Sequence, residues 1–166
     1  SRCIARRRGA DAEELLAMDY RDQAYDRTAR AIATRSATCA GGDRPRFSRL
    51  LFAGGLAEEL LAARASSVGL QSQARPRPEP VVVGDSTEAI ATCVVRRQPA
   101  LVANLLATPP ASAEEDRAVR ELAPHVAGCV MPGEIARISQ PSLRALAALA
   151  AYRLVQQQAA PRPGRN

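Results

Sequence analysis

The sequence predicts an all-α protein, a tandem duplication of a disulfide-closed helical unit of about three to four helices, with the copies joined by a Pro-rich linker. Three observations carry that expectation. About one residue in five is Ala, aromatics make up 3% and Trp is absent, a composition that favours close-packed helices over sheets. Cysteines stand at 3, 39, 93 and 129, so both successive pairs are 36 residues apart. Laying residues 3–39 on 93–129 without a gap gives thirteen identities in thirty-seven positions, where this composition yields about three by chance.

The matches include Arg6 and Arg7 with Arg96 and Arg97, Leu15, Leu16 and Ala17 with Leu105, Leu106 and Ala107, and Asp26, Arg27 and Arg30 with Asp116, Arg117 and Arg120. Past the second cysteine a three-residue insertion in the second copy brings Leu50, Leu56, Ala57 and Leu61 opposite Leu143, Leu149, Ala150 and Leu154. The expected organisation is helical repeat 1 over 1–64, a Pro-rich linker over 65–86, helical repeat 2 over 87–157 and a Pro/Arg tail over 158–166.

Within each copy the first helix carries the first cysteine. In the second copy Asp85 and Glu88 form its capping box, and it breaks at Pro99, matched by Gly9. A short helix with the repeated Leu-Leu-Ala follows and stops before Pro109 and Pro110. The next helix is capped by Asp22 in one copy and by Ser112 with Glu115 in the other, runs to the second cysteine, and bends at Pro124. The last opens near Phe47 or after Pro141, with Leu50, Ala53, Ala57, Leu60 and Leu61 on one stripe that packs against the cysteine-bearing helices. In the linker, Val81–Val83 are read as tucked onto a helix, with a short strand on a partner's edge as the alternative.

A chain that reverses between its two cysteines brings them together, and each copy must have been closed before it was doubled. The expected bridges are therefore Cys3 with Cys39 and Cys93 with Cys129. Disulfides persist in oxidising compartments, which places the protein in the periplasm, at the cell surface or outside the cell. The chain opens at Ser1, whereas about eight residues of helix precede Cys93, so a leader and part of the first helix are expected to lie upstream of this sequence. No uncharged apolar run reaches bilayer-spanning length, and the stretch Leu143–Leu154 is broken by Arg144 and Arg153.

All 23 basic residues are Arg against 17 acids, a net charge of +6. GC-rich coding accounts for Arg, Ala, Gly and Pro together, yet an Arg-only surface also suits fixed ion pairs and anion recognition. Few aromatics are available to stack on bases, so specific nucleic-acid binding is not expected, while weak polyanion binding is. With no C-x-x-C pair and a single His, neither a metal site nor a cofactor is predicted.

No catalytic residue is assigned. His125 matches Arg35 and is read as a solvent-facing polar position. The adjacent acids Glu13 and Glu14, Glu58 and Glu59, and Glu114 and Glu115 diverge by about 100° on a helix and are read as surface or first-turn groups. Arg6, Arg7, Arg30, Arg96, Arg97 and Arg120 are candidate contacts for an anion or an acidic partner. The alternative is structural, with Asp26 and Asp116 each anchoring an Arg network between two helices. Mid-helix Gly54 and Gly55 cost about 1 kcal/mol each relative to Ala, so they and the matching Ala147 and Ala148 should mark close helix packing between the last helices, within the chain or between chains.

The Leu-Leu-Phe-Ala-Gly-Gly-Leu-Ala-Glu core of residues 47–61, with the Cys-x-x-Arg-Arg-x-Pro-Ala-Leu stretch from Cys93, resembles a group of small exported proteins of GC-rich Gram-negative bacteria. The resemblance implies export and a helical fold and brings no catalytic residues. The sequence thus leads to a non-enzymatic structural or adaptor subunit of a cell-envelope or extracellular assembly, partnered by copies of itself or by other proteins. A soluble exported binder of an anionic ligand or polymer is the alternative.

Overall fold

The structure, a computed structural model, describes residues 1–39, 48–64 and 86–159. These form helices α1 (Arg2–Arg7), α2 (Gly9–Ala17), α3 (Gln23–Arg35), α4 (Arg49–Arg64), α5 (Ser86–Arg97), α6 (Pro99–Ala107), α7 (Ala113–Ala127) and α8 (Gln140–Ala159), with a 3₁₀ turn at Ala37–Cys39 and no strand among the described residues. Phe47, Val81–Val83, Asp85 and the linker and tail prolines lie outside them.

The break between the first two helices of each half is a single residue shared by both. Arg8 donates its N–H to Ile4 while its carbonyl accepts from Ala12, and Gln98 does the same between Val94 and Val102. Their backbones agree closely, at φ −139°, ψ 48° and φ −134°, ψ 55°. In the second half the cause is Pro99, which lacks an N–H and pushes the preceding residue out of the α region; in the first half Arg8 takes the same shape before Gly9, without that constraint. The following helices end alike, in extended Met18 and Thr108.

Ser112 caps α7 by accepting from the Glu115 N–H, whereas Asp22 stands at the start of α3 without a side-chain cap. Neither α3 nor α7 runs as far as its cysteine: α3 gives way to the 3₁₀ turn that contains Cys39, and α7 continues through Pro124 but stops at Ala127, two residues before Cys129. α8 opens at Gln140, so that Pro141 falls inside its first turn, where a missing N–H costs nothing. Cys3 is bonded to Cys39 and Cys93 to Cys129.

α4 and α8 make the most extensive helix contact in the molecule, with α1 and α2 packed on α4, and α5 and α6 on α8. Residues 143–152 of α8 are all buried, so this helix is enclosed on every side rather than amphipathic. The consequence is one continuous core: Leu15, Tyr25, Ile32 and Leu56 from the first half join Val94, Leu105, Leu122 and Leu146 from the second.

Gly54 is where α4 meets α8. A Cβ added there would fall well inside van der Waals distance of the Ala145 Cα and Cβ, and 2.8 Å from its carbonyl oxygen. At Gly55 the added atom would meet only Ser1, with the hydroxyl at 2.6 Å and Cβ at 3.0 Å. A backbone cannot step aside, whereas an exposed serine can. Gly54→Ala should therefore destabilise the fold by about 1–3 kcal/mol despite its better helix propensity. Gly55→Ala should be neutral or stabilise by up to ~1 kcal/mol. Urea unfolding of the two variants checks the contrast, and equal effects would remove the close approach at Gly54 as its cause.

Candidate functional site

The strongest concentration of buried polar groups surrounds Arg144, in the second turn of α8. Its side chain is 8% exposed. The Nε donates to Glu58 Oε2 at 2.9 Å, and a terminal nitrogen also reaches the other carboxylate oxygen of Glu58 on α4. Nη1 donates to Glu115 Oε1 on α7 at 3.1 Å, to the Leu105 carbonyl at 3.1 Å and to Thr108 Oγ1 at 3.2 Å. Nη2 reaches the carbonyls of Leu106 and Thr108 at 3.1 Å and 3.0 Å. The Leu105 and Leu106 carbonyls lie in the last turn of α6, where the helix dipole favours a cation, and Leu105 also accepts from the Thr108 N–H and hydroxyl. Burial alone works against the guanidinium charge, but the hydrogen bonds and charge of Glu58, then of Glu115, outweigh it and leave its pKa raised.

Glu115 is 4% exposed, and its remaining oxygen accepts from the N–H of Ala111 at 2.6 Å and from Gln140 at 3.3 Å. Ala111 has φ +59°, a strained conformation for a residue with a Cβ, held here by that carboxylate. The matching residue in the first half is Tyr25, fully buried, so an aromatic ring stands where the second half has a carboxylate. A second arginine of α8, Arg153, pairs with buried Glu88 at 3.1 Å and reaches the Met18 carbonyl at the end of α2 at 3.5 Å. α8 therefore sends one arginine to the end of the second helix of each half.

Beside Arg144 lies an open groove of about 1770 Å³. One wall is the α4 face bearing Leu51, Gly55, Glu58, Glu59 and Ala62; the other is the end of α6, with Leu106, Ala107, Pro109 and Pro110, and the start of α8. Glu58, Glu59, Glu115 and Asp116 bring four carboxylates to it, Arg2, Arg64 and Arg144 three cations. Arg2 pairs with Glu59, and Arg64 with Glu13.

Several expectations are corrected here. Glu58 is not a surface acid, and Glu115, in the first turn of α7 as expected, is buried: each is turned inward onto Arg144. Glu88 pairs with Arg153 inside the fold, while its expected capping box with Asp85 falls outside the described residues. His125 is half-buried rather than solvent-facing, its Nδ1 lying 3.1 Å from the Gln98 amide. Asp26 does anchor arginines, Arg30 at 2.9 Å and Arg49 at 3.4 Å, which ties α3 to α4. Asp116 ties α7 to α8 through the Gln140 amide at 2.8 Å, and among the described residues it pairs with no arginine.

None of the six candidate arginines lines the groove. Arg6, Arg96 and Arg120 are exposed; Arg7 donates to Thr38 and Arg97 to the Gly128 carbonyl, each at 3.1 Å, beside the second cysteine of its half. Ala147 and Ala148 are buried within α8. Among the described residues all four aromatic rings, Tyr20, Tyr25, Phe52 and Tyr152, are buried, and no cluster of His, Cys, Asp or Glu is placed to hold a metal ion. No described helix is long and apolar enough to cross a membrane.

Hydrogen bonds from the Arg21 side chain hold the Asp19 carboxyl down at about 2, and Arg30 lowers that of Asp26. A depressed folded-state pKa contributes stability that is present above the unfolded carboxylate value of about 4 and lost as pH falls through the folded one. The urea midpoint should decline between about pH 4 and pH 2, and Asp19→Asn should flatten part of that decline. An Asp19→Asn profile that matches the parent would assign the decline to other carboxylates.

Comparison with protein-family models, curated proteins and solved structures gave no match for this chain.

Proposed function

We propose that this chain is a non-enzymatic structural or adaptor subunit of a cell-envelope or extracellular assembly, acting through protein contacts. The observation that carries the reading is the groove beside Arg144. At about 1770 Å³ it exceeds the ~300–1,000 Å³ usual for small-molecule sites, and it suits a polypeptide segment better. Its carboxylates are occupied by Arg144, the Ala111 N–H and the Gln140 amide, so they shape the groove rather than stand poised for proton transfer. Two disulfides fit a location outside the cytoplasm, and export of the chain is part of the proposal.

The fold is further proposed to have arisen by tandem duplication of a unit of four helices. Three features support this: α2 and α6 start and stop ninety residues apart, the break residues share a backbone conformation, and each cysteine pair spans 36 residues. The contacts Arg7 to Thr38 and Arg97 to Gly128 recur at the same offset.

Exposed Arg6, Arg96 and Arg120 and the net charge of +6 favour a second reading, an exported binder of an anionic polymer. Purification of the oxidised protein from its source separates the two. A second chain retained at fixed stoichiometry through high salt supports the adaptor. Isolation without a partner, combined with salt-sensitive retention on a polyanion column, overturns it in favour of the binder.

A further inference from the structure

The groove presents apolar walls and an excess of negative charge. Glu58 and Glu115 share the single Arg144, and Asp116, exposed at the rim, takes a hydrogen bond from Gln140 and among the described residues pairs with no cation. The segment between α7 and α8 displays exposed apolar side chains with one acid, Glu134, and one cation, Arg137. Met131 and Ile135 are 66% and 85% exposed, the most open large hydrophobic residues described. Arg137 beside them is exposed and takes part in no ion pair among the described residues. The segment has a defined shape. The Glu134 N–H donates to the Met131 carbonyl at 3.0 Å with Pro132 and Gly133 between them, and Gly133 has φ +86°, the signature of a type II turn. Met131 opens this turn and Ile135 follows it directly, and two solvated apolar side chains this large so close together favour a contact surface.

We infer that the groove receives the Met131–Arg137 segment of a second copy of this chain. Ile135 packs against Leu51 and Leu106, and Arg137 meets Asp116. The segment leads directly into Gln140 and Pro141, which line the groove, so each protomer carries knob and socket side by side. A two-fold axis then lets each copy fill the other, the reciprocal arrangement that closes a dimer without leaving a free end. This rests on the reading of the protein as one that works through protein contacts, and it names the partner.

Analytical ultracentrifugation of the oxidised chain from about 5 to about 200 µM tests it. The expected result is a monomer–dimer equilibrium; a monomer mass throughout overturns the inference. In that event a different chain retained at fixed stoichiometry would leave the adaptor reading standing, so the two failures are distinguishable. Ile135→Asp should weaken association by roughly tenfold or more, and dimerisation that is unchanged would place the interface elsewhere. Asp116→Arg and Arg137→Asp should each weaken it, and the two together should restore it, whereas additive losses would exclude that ion pair. Should Asp116→Arg fail to fold, Ile135→Asp and Arg137→Asp decide the matter, since both alter exposed positions outside the core.

Discussion

Arg144→Met is expected to destabilise the folded chain by about 3–5 kcal/mol and to lower its melting midpoint by roughly 10 °C. The size follows from what the guanidinium leaves behind rather than from what it contributes. Without it, Glu58 and Glu115 face each other across the gap between α4 and α7, with the Glu115 side chain only 5% exposed and with no cation between them. The Leu106 and Thr108 carbonyls lose the Arg144 donor in the same step, while Leu105 keeps the Thr108 N–H and hydroxyl, and a buried acceptor without a partner costs about 1–3 kcal/mol. Because the pair with Glu115 is shielded from solvent, the loss should persist at high salt, unlike that of a surface ion pair. Removing the carboxylates as well is the informative control. In Arg144→Met combined with Glu58→Leu and Glu115→Leu no charge is stranded, so the share of the loss owed to the stranded carboxylates should return, while the Leu106 and Thr108 carbonyls and the Ala111 N–H still lack their partners. Urea unfolding of the parent, the single variant and the triple variant measures this. A single-variant loss below about 1 kcal/mol would reduce the network to the value of an exposed salt bridge.

That network illustrates where a sequence stops being informative. Helix breaks at Gly9 and Pro99, the cap at Ser112 and the cysteine pairing are set by neighbours on the chain or by the internal similarity, and they could be anticipated. Glu58 and Glu115 lie 86 and 29 residues from Arg144, beyond any helical spacing rule. Glu115 was legible only as a capping partner for Ser112, and in the fold its backbone keeps that role while its carboxylate turns to Ala111 and Arg144. Two signals were present. Arg144 and Arg153 interrupt the otherwise apolar stretch Leu143–Leu154, and a buried arginine requires partners. The match of Tyr25 with Glu115 sets an acid against a core aromatic, a difference that points to a separate role for the acid. Gly54 was conspicuous as a mid-helix cost, but its partner Ala145 depends on how α8 crosses α4, and an enclosed helix gives no apolar face from which to read that crossing.

Reduction of both disulfides is expected to have the other large effect. Each bridge closes a separation of 36 residues, and in the chain-entropy model a loop of that length contributes about 4 kcal/mol. The two loops are consecutive rather than nested, so their restrictions on the unfolded chain should add to about 8 kcal/mol, comparable with the whole stability of a typical domain at ~5–15 kcal/mol. Because the halves share one core, loosening one should not leave the other folded: α8 would lose the α4 surface against which residues 143–152 are buried. Urea titrations of the parent, of Cys3→Ser with Cys39→Ser, of Cys93→Ser with Cys129→Ser, and of the parent in excess reductant should therefore give single cooperative transitions. The paired variants should lose about 4 kcal/mol each, and the reduced chain should be largely unfolded at 37 °C. Separate transitions for the two halves would contradict the shared core. A reduced chain as stable as the oxidised one would be more damaging still, since the fold could then persist in a reducing compartment and the bridges would cease to support a location outside the cytoplasm.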